Sequence, residues 1–200
     1  MALATAYGAQ IARSLWAHGR FVRALHRLSW DGQLGGIPVR FVPGAAPFVA
    51  GILRPRVYCD PRLVDHLTPG QQRAVALHEL HHQRRRDPLR LQFGRALRPV
   101  AAISSTLRAH LETWEARYEV DADRYAIRHG ATRSDVAGAL AALLAHGGLR
   151  FSPGFESTAE LRIRALSGED IAAVATRARW IGRIRLVAAG ALVVACIVLL

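Results

Sequence analysis

The sequence predicts an α+β fold, mainly helical, with a small antiparallel sheet ahead of its central helix. Three observations carry this. Residues 31–61 place Gly32, Gly35, Gly36, Pro38, Pro43, Gly44, Pro47 and Gly51 between short apolar runs, the punctuation of strands and tight turns. From Thr68 onward the apolar spacing turns helical, with capped starts and Gly or Pro stops. The final run, 186–200, is uninterrupted apolar or small sequence and reads as a C-terminal membrane helix.

Composition bounds the partners. The chain has 200 residues, 51% of them apolar, which suffices for one domain with a real core and excludes a disordered chain. Net charge is +12, and all 27 basic residues are arginine. Such a balance suits nucleic acid or an anionic membrane. No zinc-finger spacing and no aromatic-interleaved basic strand accompanies it, so a membrane is expected and nucleic acid is not. Cys59 and Cys196 are far apart in unlike contexts. They form neither a disulfide framework nor a cysteine zinc site, and they fit a reducing compartment. Gln10, Arg13, His18 and Arg20 interrupt any signal-peptide core at the N-terminus.

Taken in order, residues 1–30 form a basic amphipathic helix. Ile11, Leu15, Val22 and Leu25 follow helical spacing, and Arg13, Arg20 and Arg27 recur every seven residues on another face. The helix either lies in a membrane interface or packs on the domain. Two or three short strands follow, over 37–42, 48–53 and 57–59. The central helix runs from 69 to about 86, with Thr68 as N-cap, Pro69 in the first position, Gln71 closing a capping box, and Asp87-Pro88 as its stop. A short helix is expected over 89–98, a long one over 104–129 ending at Gly130, and another capped by Thr132 and stopped by Gly147-Gly148. A last helical segment lies within 155–167. Arg177, Arg179, Arg183 and Arg185 precede the apolar tail. Counted from Trp180 the tail reaches bilayer-spanning length, with Arg183 and Arg185 reaching back to the interface. The resulting division is 1–30 helix, 31–167 main domain, 168–179 basic juxtamembrane segment and 180–200 anchor.

The chemistry centres on His78-Glu79-Leu80-His81-His82 in the central helix. Residues four apart share a helix face, so His78 and His82 can hold one zinc ion, and Glu79 can reach a water on it. His81 is read as an exposed imidazole and not a ligand. A catalytic zinc needs a third protein ligand and an open position. Glu119 and Asp123 are four apart on the long helix. Glu119 suits the ligand, and Asp123 suits an acceptor orienting a ligating imidazole. Glu112, Glu115 and Asp121 are alternatives on the same helix.

His78–His82, then Arg85-Arg86-Asp87-Pro88-Leu89, then Glu119-Val120-Asp121-Ala122-Asp123 resembles the gluzincin metallopeptidases of family M56 and, more distantly, M48. The segment 47–55 and the run Arg162-Ile163-Arg164-Ala165-Leu166 add to the likeness, which covers about 37–167. It lacks the several N-terminal membrane helices of the M56 sensors and the late His-Pro of M48. The resemblance implies a zincin-like domain with His78, His82 and Glu119 as ligands, Glu79 as general base and Asp123 behind a ligand. Arg162 is a candidate for steadying the tetrahedral intermediate. The expectation is a zinc endopeptidase acting on protein substrates, anchored once in the cell membrane with its catalytic domain in the cytoplasm, since the arginines lie on the N-terminal side of the tail. The alternative is a membrane-anchored binding protein with a structural zinc.

Overall fold

The computed structural model describes residues 2–91, 104–145 and 155–168. Helix α1 (Ala2–Leu28) leads into four strands, β1 (Trp30–Leu34), β2 (Ile37–Phe41), β3 (Phe48–Ala50) and β4 (Arg56–Cys59). The short α2 (Leu63–His66), the central α3 (Pro69–Arg85), the long α4 (Ser105–Arg128), α5 (Arg133–Ala145) and α6 (Phe155–Leu166) follow. The mainly helical α+β class is therefore as expected.

The sheet is mixed where an antiparallel one was expected. Its order is β1-β2-β4-β3, with β2 and β4 parallel. Short connections favour a meander, but side-chain burial decides the order. β2 and β4 take the centre, and Val39, Val57 and Cys59 on them are buried in the core shared with α3. The crossover is sewn to the end of β4 by Val42 N–H to the Cys59 carbonyl and Asp60 N–H to the Ala45 carbonyl, both 2.9 Å. β1 was not among the expected strands, because Asp31, Gly32 and Gln33 are poor strand formers. It forms as an edge, joined to β2 by Gly35 and Gly36, whose φ values are +55° and +80°. A Cβ at Gly35 would sit 2.5 Å from the Arg73 Cα, so the hairpin tip lies directly against α3.

Alternation divides the sheet between two layers. Leu34, Val39, Val57 and Cys59 join Val75 and Ala76 of α3, and Leu63, Leu67 and Ala139, in one core. The opposite face presents Ala50 and Tyr58 to Leu25 of α1, with Val22 and Phe48 alongside. α1 thus packs on the domain through its apolar stripe, the second of its two expected uses.

α3 starts as the sequence suggests. The Thr68 hydroxyl accepts from Gln71 N–H, and the Gln71 side chain accepts from Thr68 N–H. Ala74 and Leu77 bury against Ala126, Ala131 and Val136, so the sheet, α4 and α5 surround the helix. It ends where Arg86 turns left-handed at φ 55°. α5 is capped reciprocally by Thr132 and Asp135. Among the described residues no helix is long and apolar enough to cross a membrane. The apolar run at 180–200, the basic segment at 169–179 and most of the helix expected at 89–98 lie outside the described residues.

Candidate metal centre

α3 is covered on most sides before its last turn, and His78, Glu79, His81 and His82 are buried on it at 7–9% exposure. The four-residue spacing works as helix geometry requires. The two rings lie 4.8 Å apart, and their Nε2 atoms face each other at 3.1 Å. α4 brings Glu119 to the same point. One carboxylate oxygen is 3.3 Å from His78 Nε2 and the other 3.6 Å from His82 Nε2. His78, His82 and Glu119 are the group of side chains, among the described residues, whose donor atoms converge closely enough to share a metal ion.

The separations carry chemical information. A tetrahedral ion with bonds of about 2.0–2.1 Å holds its ligand atoms about 3.3 Å apart. The separations of 3.1, 3.3 and 3.6 Å bracket that edge. Each imidazole also has its other nitrogen committed. His78 Nδ1 lies 2.8 Å from Asp123, and His82 Nδ1 lies 2.9 Å from Asp87. With Nδ1–H donating to a carboxylate, each ring is turned so that its Nε2, once free of a proton, offers a lone pair inward. Two lone pairs and a carboxylate then point at one small volume, an arrangement that repels unless positive charge sits between them.

The electrostatics agree. Burial and the nearby Arg162 both disfavour a charged His78, yet hydrogen bonds to Asp123 and Glu119 outweigh them and lift its pKa to about 10. Burial raises the Glu119 carboxyl, but the imidazoles and Arg162 hold it well below the usual carboxylate range. The site draws in a cation, whether proton or metal.

Arg162, on α6 and 8% exposed, grips Asp123 with two hydrogen bonds of 2.8 Å and reaches Glu119 at 3.3 Å. Its guanidinium thus holds in place both acidic residues that face His78. Glu79 is 7% exposed, and burial pushes its carboxyl up, while His78 and His82 pull it down. Burial outweighs the imidazoles, and a carboxyl raised in this way can take and return a proton. Of the alternative acids, Asp121 is 48% exposed, faces Arg85 at 3.8 Å and is not in the converging group.

Two residues depart from the sequence reading. His81 is buried at 7%, not exposed, with its ring 4.9 Å from Tyr125 and its Nε2 without a hydrogen-bond partner. Burial and the neighbouring His82 and Arg85 depress its pKa to about 4, so it is neutral. Asp87, expected only to stop the helix, is 1% exposed and orients His82. The signal was present: an acid five residues after the second histidine, reached once the left-handed Arg86 turns the chain back.

No protein-family model matches this chain, and neither the curated proteins nor the solved structures contain a significant match to it.

Proposed function

We propose that the chain is a zinc-dependent endopeptidase with a zincin-like (gluzincin) site, hydrolysing peptide bonds of protein substrates. The observation that carries this is the convergence of a ligand atom each from His78, His82 and Glu119 beside the buried Glu79. Two nitrogens and one oxygen at tetrahedral spacing suit zinc, whereas magnesium and calcium favour all-oxygen shells. Three protein donors among the described residues leave a fourth position, as catalytic zinc sites do and structural ones do not.

Zinc bound there supplies Lewis acidity, lowering the pKa of a bound water towards about 7 and polarising a carbonyl. Glu79 takes the proton released as water attacks the scissile carbonyl and delivers it to the leaving amine nitrogen. Asp123 and Asp87 keep His78 and His82 in the required tautomer. The contacts of Arg162 support a positioning role, holding Asp123 and Glu119, ahead of the contact with the tetrahedral intermediate that the sequence suggested. β3, at the sheet edge and packed near α3, offers an outer edge to which an extended peptide can add as a strand. The tail at 180–200 would anchor this domain at the cytoplasmic face of the cell membrane, with the arginine-rich side inside.

The test is metal analysis of the purified full chain with proteolysis of an unfolded protein, wild type against Glu79→Ala. Both should hold about one zinc per chain, and the variant should show no turnover. An active Glu79→Ala removes Glu79 from the mechanism. A zinc-loaded wild type inert on unfolded proteins and peptides favours the non-catalytic, structural-zinc alternative.

A further inference from the structure

We infer that the outward face of α1 is a docking surface for an anionic lipid membrane. Residues 13, 16, 20, 23 and 27 follow one another at spacings of three and four, which sets them in one line along the helix. They are Arg13, Trp16, Arg20, Arg23 and Arg27, and all five are exposed. At 1.5 Å per residue the line is about 21 Å long. It lies opposite the stripe that buries Leu25 and seats Val22 on the sheet.

Charge and chemistry select the partner. Residues 1–30 contain no Asp or Glu, so the helix holds no carboxylate to neutralise its four arginines. The first acidic residue, Asp31, pairs with Arg40 at 3.0 Å. Trp16 interrupts the arginine line at 63% exposure, with the Arg20 guanidinium 4.9 Å over its ring. A row of arginines would also suit a phosphate backbone. A helix lying flush on a sheet, however, cannot enter a groove about 12 Å wide to read bases. A flat anionic surface is met along the whole ridge, and tryptophan is the side chain that favours the headgroup region. The apolar stripe is already spent on the sheet, so the helix adsorbs through charge and one indole and does not insert. This inference does not depend on the peptidase reading, and it differs from the C-terminal anchor in being electrostatic.

The full chain is reconstituted into vesicles of phosphatidylcholine with brominated acyl chains, with or without phosphatidylserine. The difference in fluorescence between wild type and Trp16→Phe isolates Trp16. Its emission should be quenched in the phosphatidylserine vesicles alone and recover in about 0.5 M salt, which shortens electrostatic reach to a few ångströms. Each arginine near an anionic surface contributes about a fivefold change in occupancy, so R13Q/R20Q/R23Q/R27Q should lower docking several hundredfold. That variant should keep the helical signal and zinc content of the wild type. Equal quenching on neutral lipid, quenching that survives the four substitutions, or no quenching on either lipid overturns the proposal. A DNA duplex that binds the wild type, loses affinity for the variant and displaces no lipid would assign the ridge to nucleic acid instead.

Discussion

Replacing Asp87 with alanine removes the oxygen that fixes the His82 tautomer, without touching a ligand. The carboxylate is 1% exposed, and its Oδ2 lies 2.9 Å from His82 Nδ1. Losing such an acceptor behind a ligating imidazole weakens metal affinity about 10–100-fold, or about 1.4–2.7 kcal/mol. At free zinc well above the dissociation constant, the metal-loaded fold loses that same amount of stabilisation. For a chain of this length each kcal/mol moves Tm by about 2–4 °C, so the loaded variant should melt about 3–11 °C lower. Chelator competition gives the affinity, and melting with and without excess chelator separates the metal-linked loss from any packing defect. Asp87→Asn should recover most of the effect. Its amide oxygen still accepts from Nδ1–H, while its NH2 replaces an Oδ1 whose charged neighbour is the exposed Arg90 guanidinium at 3.6 Å. An alanine variant that binds zinc within about twofold of wild type would refute the role given to Asp87.

Three other outcomes follow from the same geometry. Glu79→Gln should keep the metal while losing turnover by at least about 100-fold, measured with a quenched peptide at saturating zinc. His82→Ala and Glu119→Ala should both lose zinc in a chelator assay, whereas Glu115→Ala should keep it; the reverse result would mean the wrong face of α4 was chosen. Asp60 accepts from Gly44 N–H and from the Arg62 backbone and guanidinium, and the Arg62 contact above all holds its pKa near about 2, below the 3.8 of a free side chain. A depressed carboxyl stabilises the fold above pH 3.8 and loses that contribution as pH falls towards 2. The loss is about 2 kcal/mol, visible in acid melts, and Asp60→Asn should flatten it without changing zinc affinity.

Much of the centre was legible because its parts obey short-range rules. His78 and His82, and Glu119 and Asp123, are pairs four apart on helices, and Thr68 and Gln71 announce where one of those helices starts. The register that sets His78 against Glu119 depends on how two helices pack, and spacing alone left Glu115 and Asp121 as alternatives. Asp87 was hidden by its neighbour: Asp-Pro already explains a helix end, so its spacing from His82 was given no second role. The order of the sheet was hidden for a different reason. Hairpin turns are local, but the parallel pairing of Arg40 with Tyr58 joins segments whose choice depends on what α3 buries. For α1 two uses were weighed as rivals, and the structure assigns its apolar stripe to the sheet while leaving the arginine stripe outward.

The centre draws its parts from three helices, His78 and His82 from α3, Glu119 and Asp123 from α4, and Arg162 from α6. An ion bound there, as the proposed function requires, would thus also be a clasp. Stripped of it, like-polarity groups face one another across those helices, and the molecule opens at a lower free-energy cost. Its own peptide bonds would then become reachable to proteases and, on the proposed function, to neighbouring copies. A copy that has lost its metal would be the first to be cleared, and the population would police its own loading.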